Sequence, residues 1–219
     1  LPYQMHQMGN PLPFQPGLPA FDAFPRKIWP RLSGQTLRRV EATMMNYPDP
    51  AGYAPLREAI ATYLGISRGI RCAPEQVFIT IGYQGALELL CRTVLRAGDR
   101  GWYENPGYFP GREVLQQMGM TLTPVPVDKE GLQVSIGQQM APEARFAVVT
   151  PSHRSPTGVA LSLPRSLALL AWANQKDAWI SEDDYDSEFR YHGHPLPALK
   201  SLDHQQRVLY TGTFSKVLF

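Results

Sequence analysis

Several features that would place this chain in other classes of protein are scarce or missing from its 219 residues. The two cysteines, Cys72 and Cys91, form neither a CxxC pair nor a metal-binding spacing, which favours reduced thiols in a cytoplasmic protein. The longest apolar runs, such as residues 167–173, are too short to span a membrane, and the N-terminal residues lack a signal-peptide pattern. The net charge is +2 without any run of five Lys or Arg residues, so no basic surface for nucleic acid is indicated.

The composition is that of a folded soluble domain with an unusual beginning. Hydrophobic residues make up 43% of the chain and charged residues 18%, so a packed core is expected. Proline is concentrated at the start, which disfavours helix there and predicts that residues 1–50 form an extended arm. The prolines of the first 30 residues are Pro2, Pro11, Pro13, Pro16, Pro19, Pro25 and Pro30.

From residue 54 onward, apolar spacings of three and four residues alternate with short runs typical of strands. The alternation indicates an α/β fold, a mostly parallel sheet sandwiched by helices. Ligands of such sheets bind outside the carboxyl ends of the strands. The pattern predicts helices near 54–65, 84–96, 109–118 and 163–175, and strands near 76–80, 121–126, 145–150, 178–182 and 207–211.

A glycine-containing turn lies between the predicted strand at 76–80 and the helix that follows. Gly82, Tyr83 and Gln84 occupy this turn, where free backbone N–H groups and the positive end of the helix would attract a phosphate. The alternative is that Gly82 serves only a tight strand-to-helix turn.

An acidic and aromatic cluster follows the strand predicted at 178–182. Extended geometry places Asp183 and Tyr185 on the same side of the chain. An ionised Asp183 could keep a pyridine nitrogen protonated while Tyr185 meets a phenolic oxygen, which are the contacts that pyridoxal 5′-phosphate (PLP) needs. The alternative is a solvated acidic turn.

Lys216 follows the last predicted strand and could form a Schiff base with the aldehyde of PLP. Thr213 and Ser215, in the turn before it, offer hydroxyl groups to a phosphate. Taken alone, Lys216 would be interpreted as a surface lysine. The coincidence of three such elements, each at the end of a predicted strand, favours a cofactor site.

Two other segments carry residue types that are common in binding sites. Tyr108 lies in the loop Glu104-Asn-Pro-Gly-Tyr108 and could stack on a planar cofactor, although an ordinary proline-glycine turn explains it equally well. His192 and His194 have no third ligand nearby in sequence, so a solvated loop is predicted there and no metal site.

Long segments of the sequence resemble fold-type I PLP aminotransferases. More narrowly, the EDDYDSEF and TPSHxxPTG segments, RGIRC at 68–72 and PLPALKSL at 195–202 are similar to the aminotransferase-like domain of MocR-type regulators in the GntR superfamily. The broader resemblance includes YPDPAG at 47–52, Leu56-Arg57, ENPGY at 104–108, PSHRSPTG at 151–158, EDDYDSEF at 182–189 and GTFSK at 212–216.

The resemblance implies roles for the candidate residues in binding PLP. Lys216 would carry the Schiff base, Asp183 would meet the pyridine nitrogen, and Tyr185 would meet the ring oxygen. Tyr108 would stack on the ring. Around the phosphate the resemblance implies Gly82, Tyr83, Gln84, Thr213 and Ser215, together with Tyr47 from a neighbouring subunit of a homodimer.

The chain departs from the pattern of these families in three ways. Ser155 stands where aminotransferases usually have an asparagine that binds the ring oxygen, so that contact is expected to be shortened or lost. Arg154 stands where MocR-type relatives commonly have glutamine, and a cation there could alter which anionic effector is accepted. Residues 51–219 are expected to be an incomplete PLP-binding large domain, because the winged helix-turn-helix and the C-terminal small domain of the relatives are not in this sequence.

These features together suggest a domain that senses an amine or amino acid by Schiff-base exchange at Lys216 and reports to a DNA-binding module outside this sequence. The alternative is a free-standing PLP-dependent aminotransferase that acts on an amino acid, with residual or full transaminase activity. A third interpretation is an α/β scaffold with a degenerate site that serves dimerisation.

Overall fold

The computed structural model describes residues 17–189 and 196–218, which belong to two compact units. Residues up to Val40, together with those from Phe214 onward, make up the smaller unit. The larger unit is Glu41–Thr213, and it contains the sheet and the helices that flank it.

One sheet organises the larger unit. Its strands are β1 (Arg100–Asn105), β2 (Thr121–Asp128), β3 (Gly131–Leu132), β4 (Phe146–Val149), β5 (Trp179–Asp184) and β6 (Val208–Gly212). They lie in the order β3-β2-β1-β4-β5-β6. All neighbouring pairs are parallel except the short hairpin of β2 and β3. The carboxyl ends of β1, β4, β5 and β6 therefore meet at one edge of the sheet.

The helices confirm the α/β fold that the sequence pattern predicted. The predicted helices at 54–65, 84–96, 109–118 and 163–175 are present with small shifts at their ends. Among the described residues, no helix combines the length and the apolar character that crossing a bilayer requires. The α-helices are α1 (Ile28–Leu37), α2 (Ala54–Arg68), α3 (Gly82–Thr93), α4 (Phe109–Gln117), α5 (Val134–Met140) and α6 (Leu163–Lys176).

The strand predictions were correct for β2, β4, β5 and β6 and wrong at residues 76–80. Pro74–Gln76 forms a 3₁₀ turn, and the extended residues after it have no sheet partner in the described part of the chain. The Ile79 N–H instead donates to the Ala51 carbonyl at 2.9 Å. Strand β1 was not predicted, because its only apolar pair, Trp102 and Tyr103, is flanked by charged, glycine and polar residues.

Helix α1 lies within residues 1–50, where the proline content predicted an extended arm. The prediction is wrong for Ile28–Leu37, because Pro30 stands in the first turn, where backbone N–H groups have no partner within the helix. Pro25 precedes the helix, and its carbonyl accepts from the N–H groups of Ile28 and Trp29. Four of the early prolines, Pro2, Pro11, Pro13 and Pro16, fall outside the described residues.

Two apolar clusters pack the sheet from its opposite faces. Helices α5 and α6 cover one face, where the rings of Trp102 and Trp172 stack with centroids 3.8 Å apart. Helices α3 and α4 cover the other, around Leu115 and Phe146. Trp102 and Tyr103 are adjacent in β1 but belong to different clusters, as the period of two in a strand requires. The core therefore holds β1 and β4 rigidly beneath the edge where the loops begin.

We expect Gly101→Ala to destabilise the larger unit. A Cβ atom at Gly101 would overlap the ring of Phe146, which is itself almost fully buried. Overpacking of this kind lowers the free energy of unfolding by about 1–3 kcal/mol. Urea unfolding would measure the loss, and Phe146→Leu in the same protein should restore part of it.

Gly85→Ala is the matched control. Gly85 lies in helix α3, and a Cβ atom added there would be 3.7 Å from its nearest neighbours. Alanine is favoured over glycine in a helix, so this change should be neutral or stabilising. Equal losses for the two variants would contradict the packing described for Gly101.

Candidate functional site

The site lies at the edge of the sheet where the parallel strands end. The strand register places Glu182 beside Val149 of β4 and Tyr210 of β6, and Asp183 beside Thr211. The hydroxyl of Thr211 donates to the carbonyl oxygen of Glu182 at 2.7 Å, which ties the ends of β5 and β6 together. The loops that leave this edge carry most of the residues that the sequence singled out.

Asp183 is buried at the end of β5, with 7% of its surface exposed. Its side chain faces α3 and α4. Burial raises the pKa values of Tyr83 and Tyr103, and the negative charge of Asp183 raises them further. Burial and the negative charges of Asp186 and Asp183 also raise the pKa of Tyr185. Asp183 therefore lies among phenols that remain protonated and able to donate hydrogen bonds.

Tyr108 is the N-cap residue of helix α4 and contacts Tyr83 edge to face, with ring centroids 6.0 Å apart. The hydroxyl of Tyr103 donates to the Tyr108 carbonyl at 2.5 Å, which fixes the start of the helix. Gly111 is closely surrounded by both rings, because a Cβ atom there would lie 2.9 Å from the Tyr103 hydroxyl and 3.2 Å from the Tyr83 ring. The sequence-predicted residues Tyr83, Tyr108 and Asp183 are thus brought together.

The predicted turn before helix α3 is present. Gly82 has a φ of 65°, a left-handed conformation that favours glycine, and Thr80 Oγ donates to its carbonyl at 3.0 Å. A Cβ atom at Gly82 would meet nothing within 4 Å, so the backbone at the helix start is open, and Gln84 beside it is exposed. Phosphate binding by Gly82, Tyr83 and Gln84 stays a prediction.

The remaining predicted residues are placed less completely. Lys216 and Ser215 belong to the smaller unit, where Lys216 Nζ donates to the Gly17 carbonyl at 2.9 Å. Their approach to Asp183 stays a prediction. Thr213 ends the larger unit directly after β6, and the side chain of Tyr47 is 98% exposed. His192 and His194 lie outside the described residues.

Sequence reasoning missed the buried charge pair of Glu104 and Arg154. Arg154 is 2% exposed, its Nη1 lies 3.7 Å from Glu104 Oε1, and its Nη2 donates to Thr157 Oγ at 2.8 Å. Burial raises the pKa of Glu104 to about 8, while Arg154 opposes that rise. Arg154 therefore lies beside an internal carboxyl group, and its influence on which anionic effector is accepted stays a prediction.

A second buried pair joins Asp184 to Arg68 at the end of helix α2. Arg68 Nη2 lies 2.6 Å from Asp184 Oδ2, and the two side chains are 5% and 0% exposed. The same oxygen accepts hydrogen bonds from Tyr210 at 2.7 Å and Ser187 at 2.9 Å. A charged residue inside a run of buried strand residues signals such a partner, but the sequence does not show which arginine it is.

Glu182 is fully buried and accepts hydrogen bonds from the backbone N–H groups of Leu199 and Lys200, both at 2.8 Å. Burial raises its pKa to about 7, although these hydrogen bonds favour the ionised form. Glu182 therefore holds the 3₁₀ turn Leu199–Leu202 against β5.

The raised pKa values of Glu104 and Glu182 predict that the chain loses stability as pH rises. Both carboxyls have an ordinary value of 4.5 and hold their protons more tightly when folded, with pKa values of about 8 and about 7. Their stabilising contribution is present below about pH 4.5 and is lost as pH rises through 7 to 8. Urea unfolding at a series of pH values should show a falling free energy of unfolding over this range.

Glu104→Gln should flatten this slope, because the amide does not titrate. Glu58→Gln, at an exposed position on α2, is the control and should keep the wild-type slope. A wild-type slope in Glu104→Gln would show that Glu104 does not titrate as described.

Known transcriptional regulators are similar to this chain over most of its length. The chain is 42% identical over 206 residues to the probable rhizopine catabolism regulatory protein MocR of Rhizobium meliloti. The aligned region covers 94% of this chain and 41% of that protein. It is 37% identical to the uncharacterized HTH-type transcriptional regulator YhdI of Bacillus subtilis, over 98% of this chain and 45% of that protein. The resemblance to MocR-type regulators is confirmed.

The structure is also similar to the crystal structure of an archaeal alanine:glyoxylate aminotransferase. The TM-score is 0.84 at 33% identity, over 92% of this chain and 51% of that chain. The chain thus spans about half of the length, or somewhat less, of the proteins that it matches. The sequence model of the family aminotransferase class I and II matches residues 30–218. This chain therefore belongs to that family, which uses PLP.

Proposed function

We propose that this chain is the PLP-binding, effector-sensing domain of a MocR-type transcriptional regulator, with an amine or amino acid as effector. DNA would be bound by a module outside the present sequence, and the regulator would act as a homodimer. Effector binding would shift the domain between conformations that the DNA-binding module distinguishes.

Asp183 is the residue that supports this proposal most directly. A carboxylate held in a buried position among protonated phenols is suited to a cationic ring nitrogen, since it supplies a negative charge where water is scarce. Its neighbours Glu182 and Asp184 lie on the opposite face of the sheet, so Asp183 is the carboxylate of the three that faces the aromatic residues of α3 and α4.

The other residues fit PLP in charge and in hydrogen-bonding capacity. The protonated phenol of Tyr185 can donate to a ring oxyanion, and the open start of helix α3 at Gly82 suits a phosphate. When bound, PLP supplies an aldehyde that condenses with primary amines and a ring that withdraws electrons. Lys216 is proposed to supply the amine of the protein, and Tyr108 is proposed to cover the ring.

A regulatory role is favoured over free-standing catalysis by the relatives. The MocR protein of Rhizobium meliloti is 42% identical, compared with 33% for the archaeal aminotransferase. The aminotransferase fold of the described residues keeps transamination as the second candidate, in which Lys216 would also move a proton between substrate and cofactor.

Lys216→Ala in the complete protein should abolish the adduct that borohydride traps after incubation with PLP, because no other amine would be held at the aldehyde. Lys200→Ala is the control, since Lys200 Nζ contacts Asp203 away from the proposed site. An undiminished adduct in Lys216→Ala would refute the assignment of this lysine.

Asp183→Asn should keep the adduct and weaken PLP binding by about 1.5–3 kcal/mol, the scale of a hydrogen bond to a charged group.

Sensing and transamination differ in turnover. We expect the complete protein with PLP to release no more than about one equivalent of keto acid per site from any of several amino donors. One of those donors should change the affinity of the protein for its operator DNA. Sustained keto-acid production over many cycles would overturn the sensing role and favour the aminotransferase.

A further inference from the structure

A cavity lies between helix α4 and the strands β1 and β2 of the larger unit. Its volume is about 180 Å³, far above the ~10–15 Å³ that one water molecule requires. Tyr103 of β1 and Pro124 of β2 are neighbours in the strand register, and both line it. The described residues of its wall do not include Asp183, Tyr83 or Tyr108, so the cavity is distinct from the group of residues proposed to hold PLP.

The wall of this cavity combines apolar and polar groups. Leu122 and Pro124 are two residues apart in β2, so their side chains point to the same face of the sheet, and Tyr103 lies beside them. Arg112 and Gln116 are four residues apart on α4 and therefore share one face of that helix. Pockets for small organic molecules have this composition, in which a few polar groups fix the orientation of a ligand against apolar surface.

Arg112 is the only cationic residue in the described part of the cavity wall. Its guanidinium lies 5.8 Å from the centroid of the Phe109 ring, and no carboxylate of the described residues forms an ion pair with it. A guanidinium matches the two oxygens of a carboxylate through its paired N–H donors. The amides of Gln116 and Asn105, which also line the cavity, supply further donors.

The charge balance of the wall favours a single negative charge. Glu104 is the only acidic residue among the described residues that line the cavity. Burial raises its pKa to about 8, so it largely keeps its proton at neutral pH and adds little repulsion. The positive charge of Arg112 is thus left for a ligand with one anionic group.

We propose that this cavity binds a small organic monocarboxylate. The carboxylate pairs with Arg112, and a compact apolar body lies against Leu122, Pro124 and the ring of Tyr103. The site gives the protein a second ligand besides the amine or amino acid of the proposed sensing function. It does not depend on bound PLP, so it stands or falls separately from that function.

Benzoate is the probe that tests the charge requirement, and benzamide is its matched control, because the amide has nearly the same shape without the charge. Equilibrium dialysis of the complete protein with ¹⁴C-benzoate should show saturable binding at millimolar concentration, with much weaker binding of benzamide. Arg112→Gln should weaken benzoate binding by at least about tenfold, the lower end of the scale for a hydrogen bond to a charged group. Arg92→Gln, at an exposed position on helix α3, should bind benzoate as the wild type does.

Filling the cavity provides an independent test of its location. Gln116→Trp, at an exposed position of the wall, puts a bulky ring into the space and should abolish benzoate binding, while circular dichroism verifies that the fold is kept. Gln117→Trp, at the next exposed position of α4, is the matched control and should leave binding unchanged. Wild-type affinity in both Arg112→Gln and Gln116→Trp would overturn the proposal, as would equal binding of benzamide or no binding of benzoate by the wild type.

Saturating PLP separates this cavity from the candidate cofactor site. The amount of benzoate bound per chain should stay the same when PLP is added. Displacement of benzoate by PLP would place the carboxylate in the cofactor site and overturn the proposal. Failure of the protein to bind PLP would count against the proposed function instead, and the effects of Arg112→Gln and Gln116→Trp would still decide whether the cavity holds a carboxylate.

Discussion

The organisation of the candidate site depends on how the fold buries three consecutive carboxylates at the end of β5. Because side chains alternate along a strand, Glu182 and Asp184 point to the face covered by α6, and Asp183 points to the face covered by α3 and α4. Two backbone N–H groups bond Glu182, and Arg68 neutralises Asp184. An uncompensated buried charge would be costly, so these contacts are what permit a third carboxylate between them.

The same contacts tie distant segments to one strand end. Arg68 brings the end of α2, Tyr210 brings β6, and the turn Leu199–Leu202 is held through Glu182. The pair of Glu104 and Arg154 repeats this arrangement at the ends of β1 and β4. Removal of one member of such a pair leaves its partner buried without a compensating charge, so these residues support the strand end that carries Asp183.

Much of this fold could be predicted from the sequence, because four of its helices have regular apolar spacing and four of its strands are short apolar runs. Strand β1 could not, since its buried pair of aromatic residues is bracketed by Arg100 and Glu104. The prediction of a strand at 76–80 failed because apolar, β-branched residues indicate an extended chain but not a partner strand. At the candidate site, local patterns predicted Asp183, Tyr83 and Tyr108, and the fold brings these three residues close together. The buried pairs that Arg68 and Arg154 form were not predicted, because a pair between residues as far apart as Arg68 and Asp184 leaves no local pattern.

The stacked indoles of Trp102 and Trp172 give the domain a built-in optical label. Their ring centroids lie 3.8 Å apart with an interplanar angle of 24°, so their electronic transitions couple strongly. One ring belongs to β1 and the other to α6, and both are almost entirely shielded from water. The circular dichroism that such coupling produces would report the separation of this helix from the sheet, while remaining insensitive to rearrangements confined to the loops.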